Sequence, residues 1–333
     1  MPTAARLRSL LRGKAARLCL AILLLVELGV ARPDWLWKLV PRSGAGIIDV
    51  LEARVIAHAD APRIVVLGSS RVRDALSPRD LERALGLSTG AVLNLALTSG
   101  TPFDALTLYR RNRATLRKAK LLLVGVEDWY LNGAMAPTER DRRFATLAER
   151  WGDWDGELRL SLLLGFVWRT YDARDVIRET LQAVARRGVR DVPLGPDGRL
   201  RWRADDPQTG PVDVDVVTEL DGFFREDRPG QGRVAQLDRL IALARADGVE
   251  VRLLRVPWRD AYLDARRTRH PAADARWRAY VDGLSPPALG AERASAIGLL
   301  PTDFVDYGHL AGRGATLFAS LVADQVRAAG LAP

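Results

Sequence analysis

Cysteine is nearly absent: Cys19 is the only thiol in 333 residues, which excludes an internal disulfide and a cysteine-based metal site within one chain. Histidine is almost as scarce. The three present are too few and too poorly spaced to hold a metal, and no cofactor is expected. Zinc-finger spacing, an interleaved aromatic and basic RNA motif and a recognisable helix-turn-helix are also missing. The net charge of +9 comes from an arginine-biased composition whose arginines are scattered among acidic residues. It reads as a solvated surface, so no nucleic-acid partner is expected. There is no internal repeat and no low-complexity tract. Hydrophobic residues make up 48% of the chain, enough for one large domain or two modest ones.

The N-terminus carries a signal of location. Arg6, Arg8, Arg12, Lys14 and Arg17 precede an apolar run from Leu18 to Ala31, interrupted only by Glu27, and Arg32-Pro33-Asp34, Trp35 and Trp37 follow. The run is shorter than the ~20 residues of a comfortable membrane span, which leaves a signal anchor, a cleaved signal peptide or a buried amphipathic helix. Gly29-Val30-Ala31 offers a small-x-small cleavage pattern. The favoured reading is the uncleaved anchor, with Trp35, Trp37 and Lys38 as an interfacial belt and Glu27 near the far headgroups. The positive-inside rule then keeps the basic tip in the cytoplasm and places everything after about residue 40 outside it. Residues 1–40 form the tip and anchor and 41–60 a linker; 61–330 form the main domain. Cys19 reads as a small membrane-facing residue.

Beyond the anchor, strands and helices alternate. Arg63 to Gly68, Ala91 to Leu97, Lys120 to Val126 and Val249 to Val256 read as strands. Ser77-Pro78 and Thr101-Pro102 open helices running to about Leu85 and Arg117, and Arg233 to Ala246 has helical spacing. Continuous apolar strands alternating with helices imply a parallel sheet covered on both faces, a three-layer α/β/α sandwich. A stretch at about 136–230 breaks the rhythm and reads as a long insertion, with helices at 137–151 and 158–187 and a hairpin around Pro196-Asp197-Gly198. Its most apolar part, "SLLLGFVW" at 161–168, reads as core helix by default and as a membrane-facing or substrate-facing patch otherwise.

Two short blocks stand at the ends of this architecture. In "VLGSSRVRDAL", residues 66–76, an apolar strand ends in Gly68-Ser69-Ser70, the kind of tight turn found where open α/β sheets bind ligands. A turn serine that caps the next helix explains such a block equally well. In "DFVDYGHLAGRGA", Asp306 and His309 stand three apart before an amphipathic helix, so Asp306 is placed to hold the imidazole in one tautomer. His58 and His270 read as surface residues.

Gly68-Ser69-Ser70 after the first strand and Asp306-Tyr307-Gly308-His309 near the C-terminus together resemble the SGNH/GDSL esterase and acyltransferase superfamily. The resemblance covers about residues 60–330 in block order, with the insertion outside it. It implies Ser70 as nucleophile, His309 as base and Asp306 as its orienting acid. It also implies an oxyanion hole from the backbone N–H groups of Ser70 and Gly100, with Asn94 tying down the second loop. Ser69 stands where the family has an aspartate, and its hydroxyl helps the turn. Where the family has Gly-x-Asn-Asp, this chain has Gly125-Val126-Glu127-Asp128, so the third donor is missing. Arg71 and Asn132 are the candidates to replace it.

With the N-terminal anchor, the chain is similar to the cell-envelope branch of that superfamily. Acyl, chiefly acetyl, transfer to or from a hydroxyl of an extracytoplasmic glycan is then expected, beside a membrane-bound O-acyltransferase. A catalytically silent protein that binds glycan or such an enzyme is the alternative. A phosphate-binding turn built from Gly68-Ser69-Ser70 with Arg71 and Arg73 is a third reading.

Overall fold

The structure, a computed structural model, describes residues 13–31, 37, 40, 41, 43–185 and 216–331. Arg6, Arg8, Arg12, the stretch from Arg32 to Trp35, Lys38 and the hairpin expected around Pro196-Asp197-Gly198 lie outside the described residues. The chain divides into two compact units. One comprises Met1–Asp49, Pro137–Trp151 and Asp155–Asp191, and the other Val50–Ala136, Gly152–Trp154 and Val192–Pro333.

The second unit is mixed α/β around a five-stranded parallel sheet: β1 (Ile64–Leu67), β2 (Val92–Asn94), β3 (Leu121–Gly125), β4 (Glu250–Arg255) and β5 (Leu289–Gly290), in the order β2-β1-β3-β4-β5. Strand alternation divides their side chains between two faces. Ile64, Val66, Leu121, Leu123 and Leu254 cluster with Leu81 and with Phe318, Ala319, Val322 and Val326 of the helix Gly312–Ala328. Val65, Leu67, Leu122 and Val124 point the other way and are also buried, so water is excluded from both faces of β1 and β3. The helices Pro102–Arg111 and Gly232–Ala246 pack together, and Tyr109 donates to Asp247 at 3.1 Å. In such a strand order the chain reverses its direction of sheet building between β1 and β3, which opens a crevice at their carboxyl ends.

Four strands lie within the segments expected of them. The fifth, β5, went unforeseen because two residues carry no periodicity. Residues 41–60 are not an extended linker: Gly46–Arg54 is a helix with Ile47, Ile48 and Leu51 buried, as the apolar spacing of "GIIDVLEARV" permits.

In the first unit, the helix Lys14–Val26 continues as one π-helical turn, Glu27–Ala31. Among the described residues no helix is long and apolar enough to cross a membrane. Glu27 accepts hydrogen bonds from Arg169 N at 2.8 Å and from Thr170 N at 2.9 Å, capping the helix Arg169–Asp172. Trp37 is buried with Val40, Ala45, Ala173 and Val176, and so differs from the interfacial residue expected. The expected helices 137–151 and 158–187 are divided into Glu139–Phe144, Leu147–Gly152, Gly156–Val167, Arg169–Asp172 and Arg174–Ala185.

Candidate active site

β1 delivers its last residue to Gly68, and Ser69 follows in an extended conformation as N-cap of the helix Ser70–Ala75. The Ser69 hydroxyl accepts from Arg71 N at 3.2 Å and donates to the Glu127 carboxylate. The capping role that a turn serine commonly has thus falls to Ser69, and Ser70 starts the helix with its hydroxyl uncommitted to the backbone. Packing beneath this turn is tight: a Cβ on Gly125 would lie 2.1 Å from Val72 Cγ2. Glycine at the end of β3 lets the helix carrying Ser70 settle onto the sheet.

The second block arrives from the far end of the chain. Phe304 and Leu310 form an antiparallel bridge, and between them Asp306 Oδ1 accepts from the backbone N–H of Gly308 at 3.0 Å and of His309 at 2.9 Å. Both Asp306 carboxylate oxygens lie 2.8 Å from His309 Nδ1, and His309 Nε2 lies 2.8 Å from Ser70 Oγ. A carboxylate at Nδ1 fixes the proton there. Nε2 is left as the acceptor for the Ser70 hydroxyl. Burial pushes the Asp306 carboxyl up, but the bond to His309 and the two backbone donors outweigh this and hold the group well below the usual carboxylate range. The Tyr307 ring meets the imidazole edge-on at 6.1 Å, and Tyr307 in turn stacks on Trp258.

Arg71 ties these loops together. Its Nη1 pairs with Glu127, Nε donates to the Gly308 carbonyl at 3.1 Å, and Nη2 donates to the carbonyls of Val256 at 2.6 Å and Pro257 at 2.9 Å. The guanidinium lies over the Trp258 ring, 3.2 Å from its centroid. Burial raises the Glu127 carboxyl against the pull of Arg71 and Ser69. Gly308 permits the contact: a Cβ there would stand 2.6 Å from Trp258 and 2.8 Å from Arg71 Nε. No periodicity marks Arg71 or Trp258 for this role, because the partners of Arg71 come from three separate segments.

The remaining candidates are structural. Asn94 donates to the carbonyls of Arg73 and Leu76 and accepts from Ala96 N, which fastens the loop after β2 to the end of the serine helix. Asp128 accepts from Tyr262 at 3.2 Å and from Arg266 at 2.5 Å. Both residues expected to replace the missing donor are held by other partners. Arg71 has its three nitrogens engaged, and Asn132 donates to Phe223 O and accepts from Ala134 N and Arg228 N. Of the two expected backbone donors, the Ser70 N–H has no protein acceptor among the described residues. The Gly100 N–H is closed on Leu97 O at 3.0 Å, in a turn that puts Ser99 at φ +49°. The phosphate reading loses its cations as well, since Arg73 is buried against Asp74 and Thr98. His270 is half-buried, 2.9 Å from Asp221, and so less exposed than expected.

Comparison with protein-family models, with curated proteins and with solved structures finds no match to this chain.

Proposed function

We propose that the chain is a membrane-associated serine acyltransferase or esterase of the SGNH kind. It would act on O-acyl, chiefly acetyl, groups of an extracytoplasmic envelope glycan through an acyl-Ser70 intermediate. The observation that carries this reading is the continuous Ser70–His309–Asp306 relay, assembled from residues 239 apart in sequence. A serine hydroxyl is a poor nucleophile until a base takes its proton, and here the base is in contact and oriented. The parallel sheet with helices against it supports the three-layer sandwich of that superfamily.

In the reaction, Ser70 Oγ adds to the ester carbonyl while its proton moves to His309 Nε2, and Asp306 stabilises the imidazolium. The carbonyl oxygen becomes an oxyanion that the Ser70 N–H can meet. Collapse of the adduct returns the proton to the leaving alcohol and leaves acyl-Ser70. His309 then takes a proton from water or from an acceptor hydroxyl, which attacks the acyl carbon, and Ser70 is released with its proton restored. The Gly100 N–H serves as a second oxyanion donor only if the Leu97–Gly100 turn opens. Removing one such donor costs an enzyme about 2.7–4 kcal/mol of transition-state stabilisation.

Two features favour the silent alternative, a protein that binds glycan or a membrane-bound O-acyltransferase without turnover. Gly100 N–H is closed, and Glu127 stands where a third donor is expected. The full chain in detergent, treated with a fluorophosphonate serine probe, separates the two. Catalysis predicts a single adduct by intact mass that disappears in Ser70→Ala and His309→Ala. A folded parent chain that takes no adduct overturns the enzymatic reading.

A further inference from the structure

From Leu18 onward the helix Lys14–Val26 carries exposed apolar residues on every side. Leu18, Leu20, Ile22, Leu23, Leu24, Leu25 and Leu28 are all exposed, Leu25 by 70%, and at 100° per residue they surround the axis. A protein groove covers one face of a helix; hydrocarbon covers all of them. Thirteen residues rise only about 20 Å, short of the ~30 Å hydrocarbon core.

A second apolar surface belongs to the same unit. In the helix Gly156–Val167, Leu162 and Gly165 are buried while Leu160, Leu164 and Val167 are exposed, Val167 by 72%. The helix cannot roll to hide that stripe. Arg150, itself buried, donates to Leu162 O at 2.6 Å and to Asp172 at 2.7 Å, and Gly165 sits so close to Asp172 that a Cβ would lie 1.8 Å from its Oδ1. At the end of the stripe stands Trp168, 54% exposed, followed by Tyr171 with Arg174 over its ring at 4.4 Å; near its start, Arg159 lies over the exposed Trp151 at 5.2 Å. Aromatic rings with arginine heads beside an apolar stripe are the composition of a membrane interface. Glu27, at the end of the first apolar helix, caps the helix that begins at Arg169, so both apolar surfaces leave one hydrogen-bonded junction.

We infer that Gly156–Trp168 is a second, one-sided membrane contact. Leu160, Leu164 and Val167 enter the acyl-chain boundary, and Trp168, Tyr171, Arg159 and Arg174 lie among phospholipid headgroups. This rests on the membrane association proposed above and specifies its geometry: a monotopic seat formed with the N-terminal helix. The default expectation for "SLLLGFVW", a core helix, gives way to the exposed alternative on this face alone.

The test uses the full chain with Cys19→Ser, carrying single spin labels at Leu164→Cys, Val167→Cys or, as a water-facing control, Arg83→Cys. It is mixed with vesicles of phosphatidylethanolamine and phosphatidylglycerol. The expected result is co-flotation with the vesicles and an oxygen-to-nickel collision ratio several-fold higher at Leu164 and Val167 than at Arg83. Co-flotation with water-like ratios at both positions overturns the inference while leaving membrane association intact, and assigns the stripe to a protein partner. Spin–spin broadening between labelled copies overturns it in favour of self-association. Failure to float overturns both readings.

Discussion

Arg71 and Glu127 form a buried ion pair whose partners hold the loops of the candidate site in register, and its charges differ from the asparagine-containing pattern of the resembled superfamily. The side chains are 5% and 0% exposed, so removing one leaves the other buried without its partner and without water. Loss of one member of such a pair costs about 3–5 kcal/mol, while replacing both with uncharged groups costs much less. Urea denaturation is therefore expected to show Arg71→Met and Glu127→Gln each strongly destabilised and the double variant recovering a large part of the loss. Single losses under about 1 kcal/mol, the size seen for exposed pairs, would show that the pair does not hold the fold. Because Arg71 also grips Gly308 O beside His309, Arg71→Met should slow probe labelling beyond what its stability loss explains.

At the scale of elements, the serine helix and the sheet meet through glycine. Gly125→Ala would drive a methyl group into Val72 Cγ2, and the next nearest atom is Val72 Cβ at 3.4 Å. Overpacking of this kind costs about 1–3 kcal/mol. Adding Val72→Ala removes the clashing atom, so the double variant should melt above Gly125→Ala alone and regain its probe-labelling rate. Additive losses would mean that the helix does not rest on β3 in solution. Element identity was legible in sequence where a local pattern existed: "RIVVLG" and "KLLLVGV" are strands because uninterrupted apolar runs suit a sheet buried on both faces, and Ser77-Pro78 and Thr101-Pro102 cap helices. β5 and the helices Asp260–Arg269 and Pro271–Asp282 lacked such patterns. Arginine-rich surfaces and a proline between two helices obscure the 3.6-residue period.

For the whole molecule, pH stability is a balance of opposing carboxylates. Hydrogen bonds from Arg269 and His270 hold Asp221 at about 2, and Asp306 is held lower than usual by its own partners despite burial. Both lie below the unfolded value of about 3.9, so each adds stability that is present above that value and lost as the pH falls through the folded one. Glu127 and Asp172 have the opposite sign: burial raises them, and the folded state loses stability as rising pH ionises them. Thermal melts of the parent should fall between pH about 4 and about 2, and Asp221→Asn should flatten that slope. An unchanged slope would mean that the Asp221 pairing is absent in solution.

The alternation of strands and helices, the Gly-Ser-Ser turn at a strand end, the Asp306–His309 spacing and the apolar N-terminal run are written in the order of residues alone. Each is a local property of side chains a few residues apart. Tertiary structure alone decided which serine caps and which faces the imidazole, since that depends on a base 239 residues away. It also decided that Arg71 pairs with Glu127 while Asn132 engages Phe223 and Arg228, that the Gly100 N–H is closed, and that the 160–167 stripe points outward. Those outcomes depend on which distant carbonyls, carboxylates and rings arrive beside each group, and no spacing along the chain encodes that arrival.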